Sequence, residues 1–266
     1  MRAGDSQGIA ARVVAVLRVF AEGEGVLSVK QVAERTRLPA ATTHRMLEHL
    51  LSLGMVERAP QRRYRVGAEF FRIGSLVGQK LRIVQVARPV MREIVRLCNE
   101  TCGLSLYLSG RRQLTLVAKV DPTEPLRYRM SMLERQSPVW GAVGRSIMAY
   151  LPPDEVDEIL AEAPPCPFTG RPPPDAASFQ LTLDEVRQKG YAVARGELLS
   201  NETIAVAAPF FAAGGQVLGN LCVVAPRSRV AAEVEPQIVS TVVYQAGRLS
   251  SLLGYHAPAP QQRVAS

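Results

Sequence analysis

Six side chains near the amino terminus are the best suited in this sequence to chemistry with a partner. Thr42, His44 and Arg45 fall close together, and Arg62, Arg63 and Arg65 surround a short segment further on. Guanidinium and imidazole groups donate hydrogen bonds to phosphate oxygens and to the acceptor edges of bases. The charge distribution favours the same region. Residues 1–82 hold 14 Lys/Arg against 7 Asp/Glu, whereas residues 83–266 hold 18 against 17, so nearly all of the net +8 lies in the first third. Positive charge concentrated in a small domain is the electrostatic footprint of a nucleic-acid binder.

Groups suited to catalysis are missing from the rest of the chain. Its three histidines are His44, His49 and His256, so residues 83–250 contain none. That removes Ser-His-Asp and Cys-His nucleophiles and any histidine-based metal site from that region. No G-x-G-x-x-G and no P-loop is present. Asp154/Glu155 and Asp184/Glu185 read as first-turn helix residues, which the helix dipole explains. Cys98, Cys102, Cys166 and Cys222 are irregularly spaced and read as buried free thiols, the first two sharing one helix face. An enzyme is therefore not expected, and neither a cofactor nor a metal is implied. The longest apolar run, 204–213, is interrupted by Pro209 and is too short to span a bilayer. The first six residues lack the apolar core of a signal peptide, so the expected location is the cytoplasm, with no membrane contact.

Hydrophobic residues make up 47% and charged residues 21% of the 266, a globular balance long enough for two domains. In 9–21, Val13, Val16, Leu17 and Phe20 recur at helical spacing, and Gly23 and Gly25 end the helix. Ser28 and Gln31 form a capping box that opens a short helix over 29–36, burying Val32 and Ala33. Leu38-Pro39 makes a turn into a third helix over 40–53, with Thr43, Leu47, Leu50 and Leu51 facing the core. Two alternating segments around Ala59-Pro60-Gln61 then read as a hairpin bearing three arginines. This is the layout of a winged helix-turn-helix. The third helix is the reader, Thr42, His44 and Arg45 meet base edges and the flanking phosphate, and Arg62, Arg63 and Arg65 meet backbone phosphate.

Further along, 68–78 and 87–102 read as helices, the second stopped by Gly103. Residues 104–109 and 114–120 form a hairpin, and 126–132 reads as another strand. A helix is expected at 146–151, an acidic one at 154–161, and a loop with six prolines at 163–177. Thr182-Leu183-Asp184-Glu185 reads as a capping box for a helix ending at Gly190. Strands are expected at 191–195, 204–211 and 216–224, then a closing helix over 234–253 and a disordered tail from 256. The fold class is α+β, with an antiparallel sheet between helices in the second part.

Positions 27–76 resemble the IclR family of bacterial transcriptional regulators. The matching residues are Leu38, Pro39, Thr42, His44, Arg45, Leu47, Gly54, Tyr64, Arg65 and Gly67, while Ala40 and Ala41 replace the family's usual Lys and Ser. The likeness extends over about 9–255, through the Pro138–Leu151 segment, Gly190-Tyr191-Ala192-Val193 followed by Glu197, and Ala207–Phe210 followed by Gly215. It implies a DNA-binding domain at 8–67, a helical linker at 68–86 and a GAF-like effector-binding domain at 87–255. It also implies double-stranded DNA as partner, a homodimer or a homotetramer built as a dimer of dimers, and a small organic acid as effector. Family positions carried over residue by residue place the effector among Arg129, Met130, Ala142, Val143, Arg195, Thr203, Ala205, Cys222 and Val224, with Trp140 as an aromatic wall. The resulting set is more apolar and more basic than the family's usual one, which suits an acid with an aromatic or otherwise apolar body. A sequence-nonspecific architectural DNA-binding protein without an effector is the alternative.

Overall fold

The computed structural model describes residues 8–23, 25–123, 130–198 and 200–256, and the chain divides into two compact units, Met1–Leu81 and Arg82–Ser266. In the first unit, α1 (Ile9–Glu22), β1 (Val26–Ser28), α2 (Val29–Thr36) and α3 (Ala40–Ser52) precede β2 (Val56–Ala59), β3 (Arg63–Val66) and α4 (Ala68–Lys80). The three strands form an antiparallel sheet in the order β1-β3-β2. Both halves of the Ser28/Gln31 capping box form. Val16, Phe20, Val32, Leu47, Leu50 and Tyr64 make the core that these spacings require. The sequence reading has no counterpart for β1. Its only buried residue, Leu27, lies opposite buried Tyr64 across the ladder, and one apolar side chain leaves no periodicity to read.

The second unit comprises α5 (Arg82–Cys98), β4 (Thr101–Leu108), β5 (Gln113–Val120), β6 (Arg135–Gln136), α6 (Gly141–Met148), α7 (Pro153–Ala161), α8 (Ala176–Lys189), β7 (Ala192–Arg195), β8 (Thr203–Phe211), β9 (Val217–Pro226) and α9 (Glu235–Leu252). Its strands form one antiparallel sheet in the order β6-β5-β4-β9-β8-β7. One face is covered by α5 and α9, whose Met91, Ile94, Val242 and Leu249 pack on Leu104, Val206, Leu221 and Val223. Trp140, Met148, Phe179 and Leu183 pack over Ala194, Ala207 and Cys222 on the other. No helix among the described residues is long and apolar enough to cross a membrane.

Several local expectations are corrected. The helix expected over 87–102 runs instead over Arg82–Cys98, with Pro89 in its interior. It ends at Asn99, whose φ of 52° is left-handed and whose amide donates to the Val95 carbonyl at 2.8 Å. Asn fills the terminating role that glycine usually takes. Cys102 therefore lies on β4 rather than on the helix that carries Cys98, and Gly103 is a strand residue rather than a stop. α8 opens at Asp175, whose carboxylate accepts from the Ser178 amide at 3.0 Å. Thr182 is inside that helix and donates to the Ser178 carbonyl. Asp184 and Glu185 consequently pair with Arg187 and Lys189 further along the same helix instead of occupying a first turn. The helix expected at 146 begins at Gly141. Of the strand expected at 126–132, residues 126–129 lie outside the described residues and 130–132 are not strand; the tail from 257 also lies outside them.

Candidate functional site

α3 turns Thr43, Leu47 and Leu50 into the core. Ala40, Ala41, His44, Arg45 and His49 are thereby exposed, with Thr42 half-buried. The side chains of Arg45, Arg62 and Arg63 make no hydrogen bond or ion pair among the described residues. The three-residue tip between β2 and β3 holds Gln61 and Arg62 in the left-handed region, at φ 60° and 56°, which turns the chain back into β3. Arg65 differs from its neighbours. Its Nε and Nη2 donate to Glu57 Oε2 at 3.2 and 3.1 Å, and Glu57 Oε1 accepts the Ala68 amide at the start of α4.

Glu48, which sequence reasoning missed, joins the reading helix to the hairpin. Its Oε1 accepts the Tyr64 hydroxyl at 2.5 Å, and Arg58 Nη2 donates to both carboxylate oxygens at 2.9 Å. The Tyr64 hydrogen bond, together with the nearby Arg58 cation, holds this carboxyl below the usual carboxylate range. Burial, and then Glu48 itself, push the Tyr64 phenol up.

In the second unit, a cavity of about 460 Å³ opens between the sheet, the first turn of α6 and the proline-rich loop. Seven of the ten effector positions line it: Met130, Trp140, Ala142 and Val143 on one side, and Thr203, Ala205 and Val224 from β8 and β9. Cys222 is fully buried and gives no surface to the cavity. Arg195 is exposed on edge strand β7, where Nη2 meets both oxygens of Glu235 at 2.5 Å, and it does not line the cavity. Arg129 lies outside the described residues.

The wall formed by α6 is held tightly. A Cβ on Gly144 would fall 1.8 Å from the Pro138 carbonyl oxygen, and one on Gly141, at φ 76°, 2.4 Å from Leu198 Cδ1. Only glycine admits both approaches. Buried Asn220 donates from Nδ2 to the Val143 carbonyl at 2.6 Å and to Ser146 Oγ at 3.0 Å. Arg145 donates to both Glu197 oxygens, and Trp140 Nε1 donates to the Pro164 carbonyl at 3.1 Å, tying the loop to the wall. Glu197 also lines the cavity, as do Pro164, Pro165 and Pro167. The family landmark at Glu197 is the one sequence signal that points to this clasp. The first-turn amides of α6 have no acceptor within the helix, so a negative group in the cavity is favoured there. Trp140, Leu116, Met130 and Val224 supply apolar surface beside them.

Comparison with known proteins gives the same division. The family model described as "IclR helix-turn-helix domain" matches residues 10–60, and "Bacterial transcriptional regulator IclR C-terminal" matches 76–251. The HTH-type transcriptional regulator KipR of Bacillus subtilis is 27% identical over 230 residues, which cover 86% of this chain and 90% of that protein. A solved IclR-type regulator from Silicibacter sp. TM1040 superposes with a TM-score of 0.82 at 27% identity, covering 94% of this chain and 98% of the other. An IclR homologue from Microbacterium hydrocarbonoxydans, solved in complex with 4-hydroxybenzoate, has the same fold, with a TM-score of 0.75 at 22% identity over 92% of this chain and 99% of the other. A winged helix-turn-helix followed by an antiparallel-sheet effector domain, each matched by its own family model, makes this chain a member of the IclR family of bacterial transcriptional regulators.

Proposed function

We propose that this regulator reads near-palindromic operator DNA as a dimer or a dimer of dimers, under the control of a small organic acid with an aromatic body. Residues 8–67 read the DNA, 68–86 transmit, and 87–255 sense. Thr42, His44 and Arg45 meet base edges and the flanking phosphate, and Arg62 and Arg63 meet backbone phosphate, with Arg65 reaching it only in exchange for Glu57. Two copies related by a twofold axis place their reading helices in major-groove half-sites about one helical turn, or a multiple of it, apart. Exposed Phe71 and Val77 on α4 supply apolar surface for that pairing. The protein does no chemistry on its ligand.

The observation that carries the effector reading is the cavity itself, where Gly141, Ala142 and Val143 at the start of α6 stand next to Trp140, Met130 and Val224. The acid's carboxylate takes the first-turn amides of α6, while Arg195 stays with Glu235 outside. The 4-hydroxybenzoate held by the Microbacterium homologue has this chemistry and fits easily within about 460 Å³. The ligand alters DNA affinity by its differential affinity for two arrangements of the chain, a coupling of roughly 1–3 kcal/mol. Calorimetry of the full chain with 4-hydroxybenzoate and with pyruvate tests the ligand class. Binding heat is expected with the aromatic acid and lost in Ala205→Leu, which fills the cavity floor. Equal heats for wild type and Ala205→Leu, or binding of pyruvate alone, overturn it. Selection of duplexes from a random pool tests the DNA half, and recovery of no preferred sequence overturns that.

A further inference from the structure

Specificity is a difference between affinities for right and wrong sites, and a wrong site is bound chiefly through phosphate charge. The side chains of Arg45, Arg62 and Arg63 are unpaired, whereas Arg58 on β2, which the sequence does not single out for DNA contact, is held. Its guanidinium lies over the Tyr64 ring, 5.6 Å from the centroid, and is held by both oxygens of Glu48. Glu48 sits on α3, with His44 Nε2 4.0 Å away, so a carboxylate stands on the helix read as facing phosphate. Its anchor is rigid: the Tyr64 ring is 2% exposed, and its hydroxyl reaches Glu48 at 2.5 Å across 16 residues of chain. One carboxylate thus bridges α3 and the hairpin and pairs a cation that is 56% exposed.

We propose that Glu48 is a specificity-determining residue: through Tyr64 it fixes the reading helix to the wing, and it withholds Arg58 from DNA phosphate. The inference rests on α3 and the β2–β3 hairpin being the DNA-contacting surface. Removal of the charge frees Arg58 for one additional phosphate contact, which every sequence offers equally. Random DNA then gains while the selected site, whose geometry depends on that bridge, loses.

The test uses the full chain with two probes: a duplex recovered by the wild-type protein from a random pool, and a random-sequence duplex of the same length. Glu48→Gln is expected to bind the random duplex more tightly, with a salt slope steeper by about 1. Its preference for the selected duplex falls about tenfold, the scale of one poorly read base pair. Adding Arg58→Gln returns the slope to the wild-type value. Tyr64→Phe keeps the Glu48–Arg58 pair, so it is expected to lose preference with no change in slope, and it serves if Glu48→Gln unfolds. Wild-type slope and preference in Glu48→Gln, or wild-type preference in Tyr64→Phe where that variant stands in, overturn the inference alone. A wild-type chain that prefers no duplex overturns the underlying DNA reading and this inference with it.

Discussion

Arg145 and Glu197 clasp each other through two parallel hydrogen bonds of 2.9 and 2.7 Å, joining α6 to the β7–β8 connection across 52 residues. Their side chains are only 16% and 12% exposed. A planar guanidinium matched to a carboxylate in this way is strong and directional. Glu197→Ala strands the cation in a poorly solvated place and is expected to destabilise the second unit by about 3 kcal/mol. Arg145→Met with Glu197→Leu is expected to recover most of that loss. Urea midpoints of the wild type and of these two variants measure both effects.

Gly144 carries a second prediction, because an added methyl meets the Pro138 carbonyl rather than a movable side chain. Gly144→Ala forces α6 and the Pro138 backbone apart, a cost of about 2 kcal/mol for overpacking. The same shift moves Ala142 and Val143 away from the cavity. Calorimetry with 4-hydroxybenzoate is therefore expected to show weakened binding, in contrast to a control such as Gly110→Ala, where nothing lies within 4 Å.

Arg45 and Arg62 should separate cleanly in DNA binding. Arg45→Ala is expected to cost about 1–3 kcal/mol on the selected duplex and little on random DNA. Arg62→Ala should weaken both and lower the salt slope by about 1. Equal losses on the two probes for Arg45→Ala would remove it from the base-reading set.

Burial pushes the Cys222 thiol from 9.0 up to about 12, and raises Cys102 as well. The folded chain keeps these protons at a pH where the unfolded chain releases them. Their contribution to stability is complete below about pH 9 and is lost as pH rises toward about 12 for Cys222. The limiting slope is about 1.4 kcal/mol per pH unit for each thiol. Urea unfolding at about pH 8 and about pH 10 should show the decline, and Cys222→Ala should make it shallower.

Much of this architecture is legible in sequence where a structural signal is local. Ser28 and Gln31 announce their capping box, Leu38-Pro39 sets the turn before α3, and Gly190 ends α8 in a left-handed conformation, at φ 78°. What is not legible depends on remote partners. Asn99 ends α5 where a glycine four residues later looks the better stop, and Gly103 is needed instead for close packing against Cys222. Arg195 looks like an anion-binding residue until Glu235, 40 residues away, is seen to take both of its charge-assisted bonds. Six of the seven cavity positions follow from family spacing, and the seventh, Trp140, from its aromatic side chain. Glu48 does not, because its role arises only when the hairpin folds back onto α3.

The sheet order of the second unit has a consequence for synthesis. β4 lies between β5, its immediate successor, and β9, whose pairing joins Thr101 to Val224. The sheet of the second unit stays incomplete until residue 226 has left the ribosome, whereas the strand partners of the first unit all lie within residues 26–66. Long-range pairing of this kind is slow and exposes unpaired edges. A nascent or prematurely terminated chain ending before Val217 would carry every strand of the first unit together with a β4 edge that has nothing to cover it, an open template for aggregation.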